Sequence, residues 1–371
     1  MYRKSAEPLI LPLVEEAGGR ACTEVAMSLK SFFAGARVAV TGGAGFIGTH
    51  LTRRLVGLGA RVRVVDNLER GTRKAIADMI KPIDFVVADL RDEDECRAAL
   101  DNCDVVVHLA SKVGGIQYYL SQPYEVLHDN ILMDSNVLNA VISGQVPHYF
   151  YASSAHVYPI ELQLAVDAPA IVESQAIPAH PELSYGWAKL MGEKRIEYAI
   201  AEGLSLRASV ARIIGAYGPG QDFDLAKGSA IPVFIRRAIE YPNGAPFVVL
   251  GTGKETRSYC YIDDIVEGIL RSICKTQNLN PVGPFNLGRS GRNTIREIAE
   301  TVITISGKDI PISWDTSVET VIWGQALDCS YATKLLDGWE AKIDLREGLG
   351  RCYCDIEHRI AGNQQAVSRL I

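Results

Sequence analysis

From residue 36 onward, short runs rich in β-branched residues alternate with amphipathic stretches of helical length: ARVAVTG, RVRVVD, DFVVAD, DVVVHLA, HYFYAS and SVARIIG. Near-continuous apolar strands of this kind are stable only when both faces of a sheet are covered, and a helix between successive strands returns the chain so that they lie parallel. The expectation is an α/β chain built on a doubly wound parallel sheet. Past about residue 215 the rhythm loosens into loops punctuated by Gly and Pro around FVVLG and PFNLG, which predicts a smaller mixed α/β lobe. The expected boundaries are an extension at 1–34, the sheet domain at 35–215, a second lobe over 216–360 interleaved with the first, and a tail at 361–371. The extension carries no assignable pattern, and a packed helix and a mobile leader are equally compatible with it.

With 371 residues, 47% of them hydrophobic, the chain has enough apolar side chains for a full core. Its formal net charge of −6 offers no basic face to a phosphate backbone, so nucleic acid is set aside as a partner. No apolar run approaches the ~20 residues that span a bilayer. The opening stretch has a basic start, but its apolar patch from Leu9 to Val14 contains Pro12 and runs into Glu15 and Glu16, unlike a secretory signal. A cytoplasmic protein without membrane contact is expected. Eight cysteines are scattered, and only Cys352 and Cys354 lie close, with His358 four residues on. On a helix those two thiols point to different faces, so the expectation is reduced, buried thiols and no metal site.

The sharpest local signal is TGGAGFIG at 41–48, directly after the first strand and opening a helix. Gly42 permits a tight turn, Gly45 lets backbone amides approach a pyrophosphate, and Gly48 allows helix and strand to pack closely, with Phe46 and Ile47 in the first helical turn. Asp66 ends the second strand, where a carboxylate accepts hydrogen bonds from the adenosine ribose hydroxyls and repels a 2′-phosphate. The cofactor expected is therefore NAD, on a Rossmann-type sheet. Asn67 neighbours that carboxylate, Asp89 and Leu90 follow the third strand on the adenine side, and Ala110 to Lys112 follow the fourth on the ribose side. Arg70 and Arg73 either meet a phosphate or lie in a solvated loop.

Two further motifs, YASSAHVYP at 151–159 and YGWAK at 185–189, complete an ordered set with HLAS, Asn130, YGP at 217–219 and RSYCYIDD at 257–264. Over roughly residues 36 to 350 the chain resembles the extended short-chain dehydrogenase/reductase family, the NAD-dependent sugar-nucleotide epimerases and dehydratases. Tyr185 and Lys189, four apart, share one helix face, so an ammonium there is expected to draw the phenol's pKa down towards neutrality. The resemblance implies that Ser154 holds a sugar hydroxyl while Tyr185 takes its proton and a hydride leaves for NAD. A nucleotide sugar is thus the implied small-molecule substrate. The helices near 123–144 and 185–203 are apolar on more than one face, and relatives pair them, which implies a homodimer.

Within that family the residue two after the catalytic Ser or Thr separates subgroups: often Glu in dehydratases and decarboxylases, a small residue in 4-epimerases, Cys in 3,5-epimerases. Here it is His156. Oxidation at C4 acidifies the hydrogens on C3 and C5, and an imidazole of ordinary pKa about 6.5 suits a proton taken and returned near neutral pH. The resemblance is greatest to the group containing GDP-mannose 3,5-epimerase and GDP-fucose synthase. It implies that Lys112, Gly114 and Gly115 line the sugar site with Ser153, Ser154, His156 and Tyr185, and that Arg257 pairs with the diphosphate. Three positions depart from the group: His156 replaces Cys, Ser229 stands where a Lys or His proton donor is placed, and Gly215 where an Asn meets substrate. Lys227 either fills the donor's place or is a solvated charge or phosphate contact. The leading expectation is an epimerase acting on a GDP-hexose through C4 oxidation and C3/C5 enolisation. The alternatives are a 4-epimerase with no base at 156, an epimerase-reductase, disfavoured by Asp66, a dehydratase, disfavoured by the missing acid, and a non-enzymatic NAD-sensing protein.

Overall fold

The computed structural model describes residues 29–79, 82–114, 116–226, 228–317 and 321–368. A short helix α1 (Leu29–Phe33) precedes β1 (Arg37–Thr41), α2 (Phe46–Gly57), β2 (Arg61–Asp66), β3 (Ile83–Val87), α3 (Glu93–Leu100), β4 (Val105–His108), α4 (Ile116–Ser121), α5 (Pro123–Ser143), β5 (His148–Ser154), α6 (Ser184–Ala201) and β6 (Ala208–Ile213). The chain continues through β7 (Ala216–Tyr217), α7 (Ala230–Glu240), β8 (Val248–Leu250), β9 (Thr256–Arg257), β10 (Cys260–Tyr261), α8 (Ile262–Lys275), β11 (Val282–Leu287), β12 (Asn293–Thr294), α9 (Ile295–Ser306), β13 (Ser313–Asp315), β14 (Gly324–Gln325), α10 (Ser330–Leu335) and α11 (Leu345–Ser368).

Seven parallel strands form the main sheet in the order β11-β6-β5-β4-β1-β2-β3. The doubly wound α/β fold expected from the alternating runs is the fold observed. Both faces are covered, as continuous apolar strands demand: every residue of β4 is buried. On one face Leu51 and Leu55 of α2 join Ile262, Ile265 and Ile269 of α8; on the other, Met133, Val137 and Val141 of α5 meet Ile196 and Ala199 of α6. Strand order reverses between β1 and β4, so a crevice opens at their carboxyl ends, the place where doubly wound sheets bind ligands.

Two elements differ from the sequence pattern. Among the described residues, the link between β2 and β3 carries a 3₁₀ turn over Arg73–Met79 and no α-helix, since the chain has little length between Gly71 and Pro82 for a longer crossover. PFNLG, read with the second lobe, supplies β11, which pairs with β6 at the edge of the main sheet. The smaller lobe consists of the short sheets β10-β7, β12-β9-β14 and β13-β8 with α7, α9 and α11. The segment after β5 is bridged to it by Ile171 and Leu327. Among the described residues no helix is long and apolar enough to cross a membrane.

Candidate active site

The glycine loop is shaped by steric necessity. Gly42 has φ +65, and a Cβ there would lie 2.8 Å from the amide nitrogen of Ala110; one on Gly48 would lie 2.2 Å from the carbonyl oxygen of Gly42. Gly45 caps α2 from an extended conformation, with Phe46 and Ile47 half-buried behind it. A side chain at 42 would push the loop off the backbone after β4, and one at 48 would push α2 off the loop, so glycine at both is what holds the helix N-terminus at the end of β1, where it fits the pyrophosphate of a dinucleotide. Asp66, buried at the end of β2, accepts from the amides of Ala44 at 3.0 Å and Leu68 at 2.8 Å, and burial raises its pKa against those two bonds. Arg70 donates to the carbonyl of Val113 and Arg73 lies 4.9 Å above the Phe85 ring, so both have partners within the protein. Asn67 accepts from the amide of Glu69, Leu90 is buried, and Asp89 is held by Arg91, which also reaches Asp129 at 2.7 Å.

At the crevice floor, the buried Tyr185 phenol lies within reach of the hydroxyls of Ser111 and Ser154. Ser154, at the end of β5, also accepts from the amide of His156 at 3.3 Å. The start of α6 is pressed onto this turn: a Cβ on Gly186 would lie 2.0 Å from the carbonyl oxygen of His156, so glycine alone permits the approach that puts Tyr185 beside Ser154. The Lys189 ammonium is fully buried one turn on, 5.9 Å from the Tyr185 ring centroid. The phenol is nevertheless not lowered towards neutrality, as the i, i+4 spacing predicts. Burial pushes it up to about 12; the two serine hydroxyls oppose the rise and Asp134 adds to it.

His156 sits at the pocket wall, its ring 5.8 Å from Tyr185 and edge-on at 74°. Burial, with the Arg257 guanidinium, drives its pKa down to about 4, so its imidazole is neutral at physiological pH and a weaker base than the ordinary value suggests. Arg257 donates to the carbonyls of Thr256 at 2.8 Å and Ile322 at 2.9 Å.

Several expected substrate residues are otherwise engaged. The Ser153 hydroxyl points away from the pocket, bonded to Glu193, which pairs with Arg212. Lys112 is clamped by Glu125 and Asp129, with Glu69 at 3.6 Å, and is held well above the usual lysine range by those carboxylates although burial opposes them. Ser229 is the N-cap residue of α7 and makes no side-chain cap bond. Gly114 packs against Tyr118, while Gly115 and Lys227 lie outside the described residues. Gly215, φ +54, leaves no room for an Asn: a Cβ there would lie 2.0 Å from the Ser258 carbonyl oxygen. Of the described thiols, Cys352 is buried and Cys354 exposed, because the α11 turn sends them to different faces, and Cys274 on α8 is half-buried. Among the described residues no three His, Cys, Asp or Glu side chains converge as a metal site.

Three residues of the site fall outside the sequence motifs. Tyr119 of α4 stacks on Tyr185 with centroids 5.3 Å apart and meets His156 edge-on at 6.1 Å. Glu182, just before α6, is raised by burial, and the positive charge of Arg257 opposes the rise. Asp134 stands behind Lys189, with their charged atoms 3.5 Å apart. Asp134 had a signal: an acid in the apolar helix NILMDSNVLNAV, on the same face as Asn130 one turn earlier.

A profile of the NAD dependent epimerase/dehydratase family matches residues 38–288, the stretch that builds both the glycine cradle and the Tyr185 pocket. The chain belongs to this family. It is 30% identical over 324 residues to GDP-mannose 3,5-epimerase 1 of Oryza sativa subsp. indica, covering 87% of this chain and 82% of the relative. It is 29% identical over 343 residues to UDP-glucuronic acid decarboxylase 1 of Arabidopsis thaliana, covering 89% and 72%. Among solved structures, an epimerase from Methanothermobacter thermautotrophicus superposes with a TM-score of 0.79 at 25% identity, covering 91% of this chain and 97% of that one. As a member of an NAD-dependent family, the enzyme uses NAD, and the residues of the β1–α2 cradle are those that would hold it.

Proposed function

We propose that the chain is a nucleotide-sugar epimerase acting on a GDP-hexose, and that it inverts a carbon beside a transient C4 ketone. The observation that carries this reading is the convergence on one phenol of two serine hydroxyls, a buried ammonium and a neutral imidazole. Ser111 and Ser154 orient the C4 hydroxyl, and Tyr185 receives its proton. Bound NAD supplies the hydride acceptor and a positive ring that favours the phenolate. Lys189 keeps a second positive charge 5.9 Å from the centre of the same ring. His156, neutral and facing the sugar space, then accepts a proton from the carbon next to the ketone, and Arg257 beside it discourages the imidazolium so that the proton is readily given back. A UDP-glucuronic acid decarboxylase stands among the relatives, so the family is not confined to epimerisation, but His156, being no acid in the physiological range, is a poor match for dehydration. The protein is proposed to work in the cytoplasm as a homodimer.

The test is turnover of GDP-, UDP- and dTDP-hexoses in D2O, read by NMR. Deuterium at C3 or C5 is expected for a GDP-hexose, and it is expected to vanish in His156→Asn while C4 exchange of hydride persists. Inversion at C4 with no solvent label in the wild type would reduce the enzyme to a 4-epimerase and remove the role given to His156.

A further inference from the structure

Behind the pair Tyr185 and Lys189 lies a polar cluster sealed in the core. Its centre is Asp134 of α5, 4% exposed. The carboxylate is met from three elements: the ammonium of Lys189 at 3.5 Å from α6, Nε2 of His108 at 2.9 Å from β4, and the hydroxyl of Tyr151 at 2.5 Å from β5. Thr41, at the end of β1, fixes the imidazole. Its oxygen accepts from the amides of Leu109 and Ala110, each at 3.2 Å, so its own hydrogen goes to Nδ1 of His108 at 2.7 Å, leaving the Nε2 proton for Asp134. His108 is neutral, lowered by burial against the pull of Asp134. The negative charge of Asp134 is therefore balanced by one cation, Lys189.

We propose that Asp134 is a positioning residue that keeps the Lys189 ammonium charged and fixed beneath Tyr185, and so sets the pH range in which Tyr185 exchanges a proton with substrate. This inference rests on the reading of Tyr185 and Lys189 as the working pair. A lysine as buried as Lys189 sheds its proton readily unless an anion holds it, and breaking such a pair strands the remaining charge. The titratable groups facing Asp134 are Lys189 and Tyr185 from α6, His108 from β4, and Tyr149 and Tyr151 from β5; Arg195 and Cys96 act on Tyr149 from further out. A fixed negative charge raises the pKa of both members of the pair, so its removal lowers both. Burial lowers Lys189 against the pull of Asp134, and in the holoenzyme the positive nicotinamide ring would bring the phenol below the ammonium; the acid limb of the rate profile then follows Tyr185 and the alkaline limb Lys189, and both move to lower pH together.

The experiment compares kcat/KM against pH for wild type and Asp134→Asn holoenzyme, with bound NAD measured on each preparation. The expected result is retained NAD and a displacement of both limbs to lower pH by about one unit or more. A loss of rate at every pH with unmoved limbs, as a purely structural role gives, overturns the inference. Should Asp134→Asn fail to fold, thermal unfolding of Lys189→Met and of the Lys189→Met/Asp134→Asn double variant decides: the double variant more stable than Lys189→Met alone supports the ion pair, and equal or lower stability overturns it. Tyr185→Phe separates the two levels. Turnover surviving in that variant removes the assignment of the base itself, whereas lost turnover beside an unmoved Asp134→Asn profile removes only the role of Asp134.

Discussion

A single imidazole illustrates how far environment departs from type. An exposed histidine is half-charged near neutrality, yet His156, enclosed and facing Arg257, is drawn down to about 4. The folded pKa lies below the unfolded value near 6.5, so the unfolded chain binds the extra proton first. Stability linked to this group is complete above about pH 6.5 and is lost as the pH falls towards 4. Chemical denaturation at several pH values between 7 and 4.5 is expected to show a steeper loss of stability in the wild type than in His156→Asn. His50, His108 and His148 are lowered by burial too and contribute equally to both proteins, so the difference isolates position 156. Parallel curves would mean that His156 titrates alike in the folded and unfolded chains.

At the scale of elements, the junction of β1 and α2 depends on atoms that are absent. Gly48→Ala puts a methyl 2.2 Å from the Gly42 carbonyl oxygen, a backbone atom with no rotamer to swing aside. The loop must shift, so the variant is expected to fold while losing NAD affinity by about tenfold or more, a penalty of roughly 1.4 kcal/mol; calorimetric titration of apoenzyme with NAD measures it, and unchanged affinity would show that the loop yields freely. This cradle was legible in the sequence because its requirements are local: a strand, a turn and a helix start within a dozen residues. Legibility failed where partners come from afar. The i, i+4 placement of Tyr185 and Lys189 was visible, but the sign of the phenol's shift was not, since it depends on burial and on Asp134 from another helix. Ser153 and Ser154 are adjacent in the sequence and opposite in fate, because alternate residues of a strand face opposite sides: one hydroxyl bonds Glu193 and the other meets the phenol. PFNLG could not be assigned to the main sheet because nothing within five residues records which strand edge it will meet.

At the scale of the whole molecule, an apolar stripe among the described residues faces solvent without the fold accounting for it. Trp187, Met191 and Tyr198, on one face of α6, are 41%, 50% and 68% exposed, and Tyr124 at the start of the adjacent α5 is 78% exposed. Singly such residues are unremarkable; aligned on neighbouring helices they fit the homodimer proposed above. Met191→Glu places a charge in that stripe and is expected to halve the mass observed by light scattering while leaving thermal unfolding cooperative. A wild-type mass equal to one chain would dispose of the dimer. The position of β11 has a separate consequence. Because the polypeptide leaves the sheet after β6, builds much of the second lobe and then comes back to hydrogen-bond along Ser209–Ile213, no single cut separates the lobes. A fragment ending near residue 215 would expose the bare rim of β6, a sticky ribbon inviting foreign strands, so the two halves of this enzyme are inseparable parts of one folding unit.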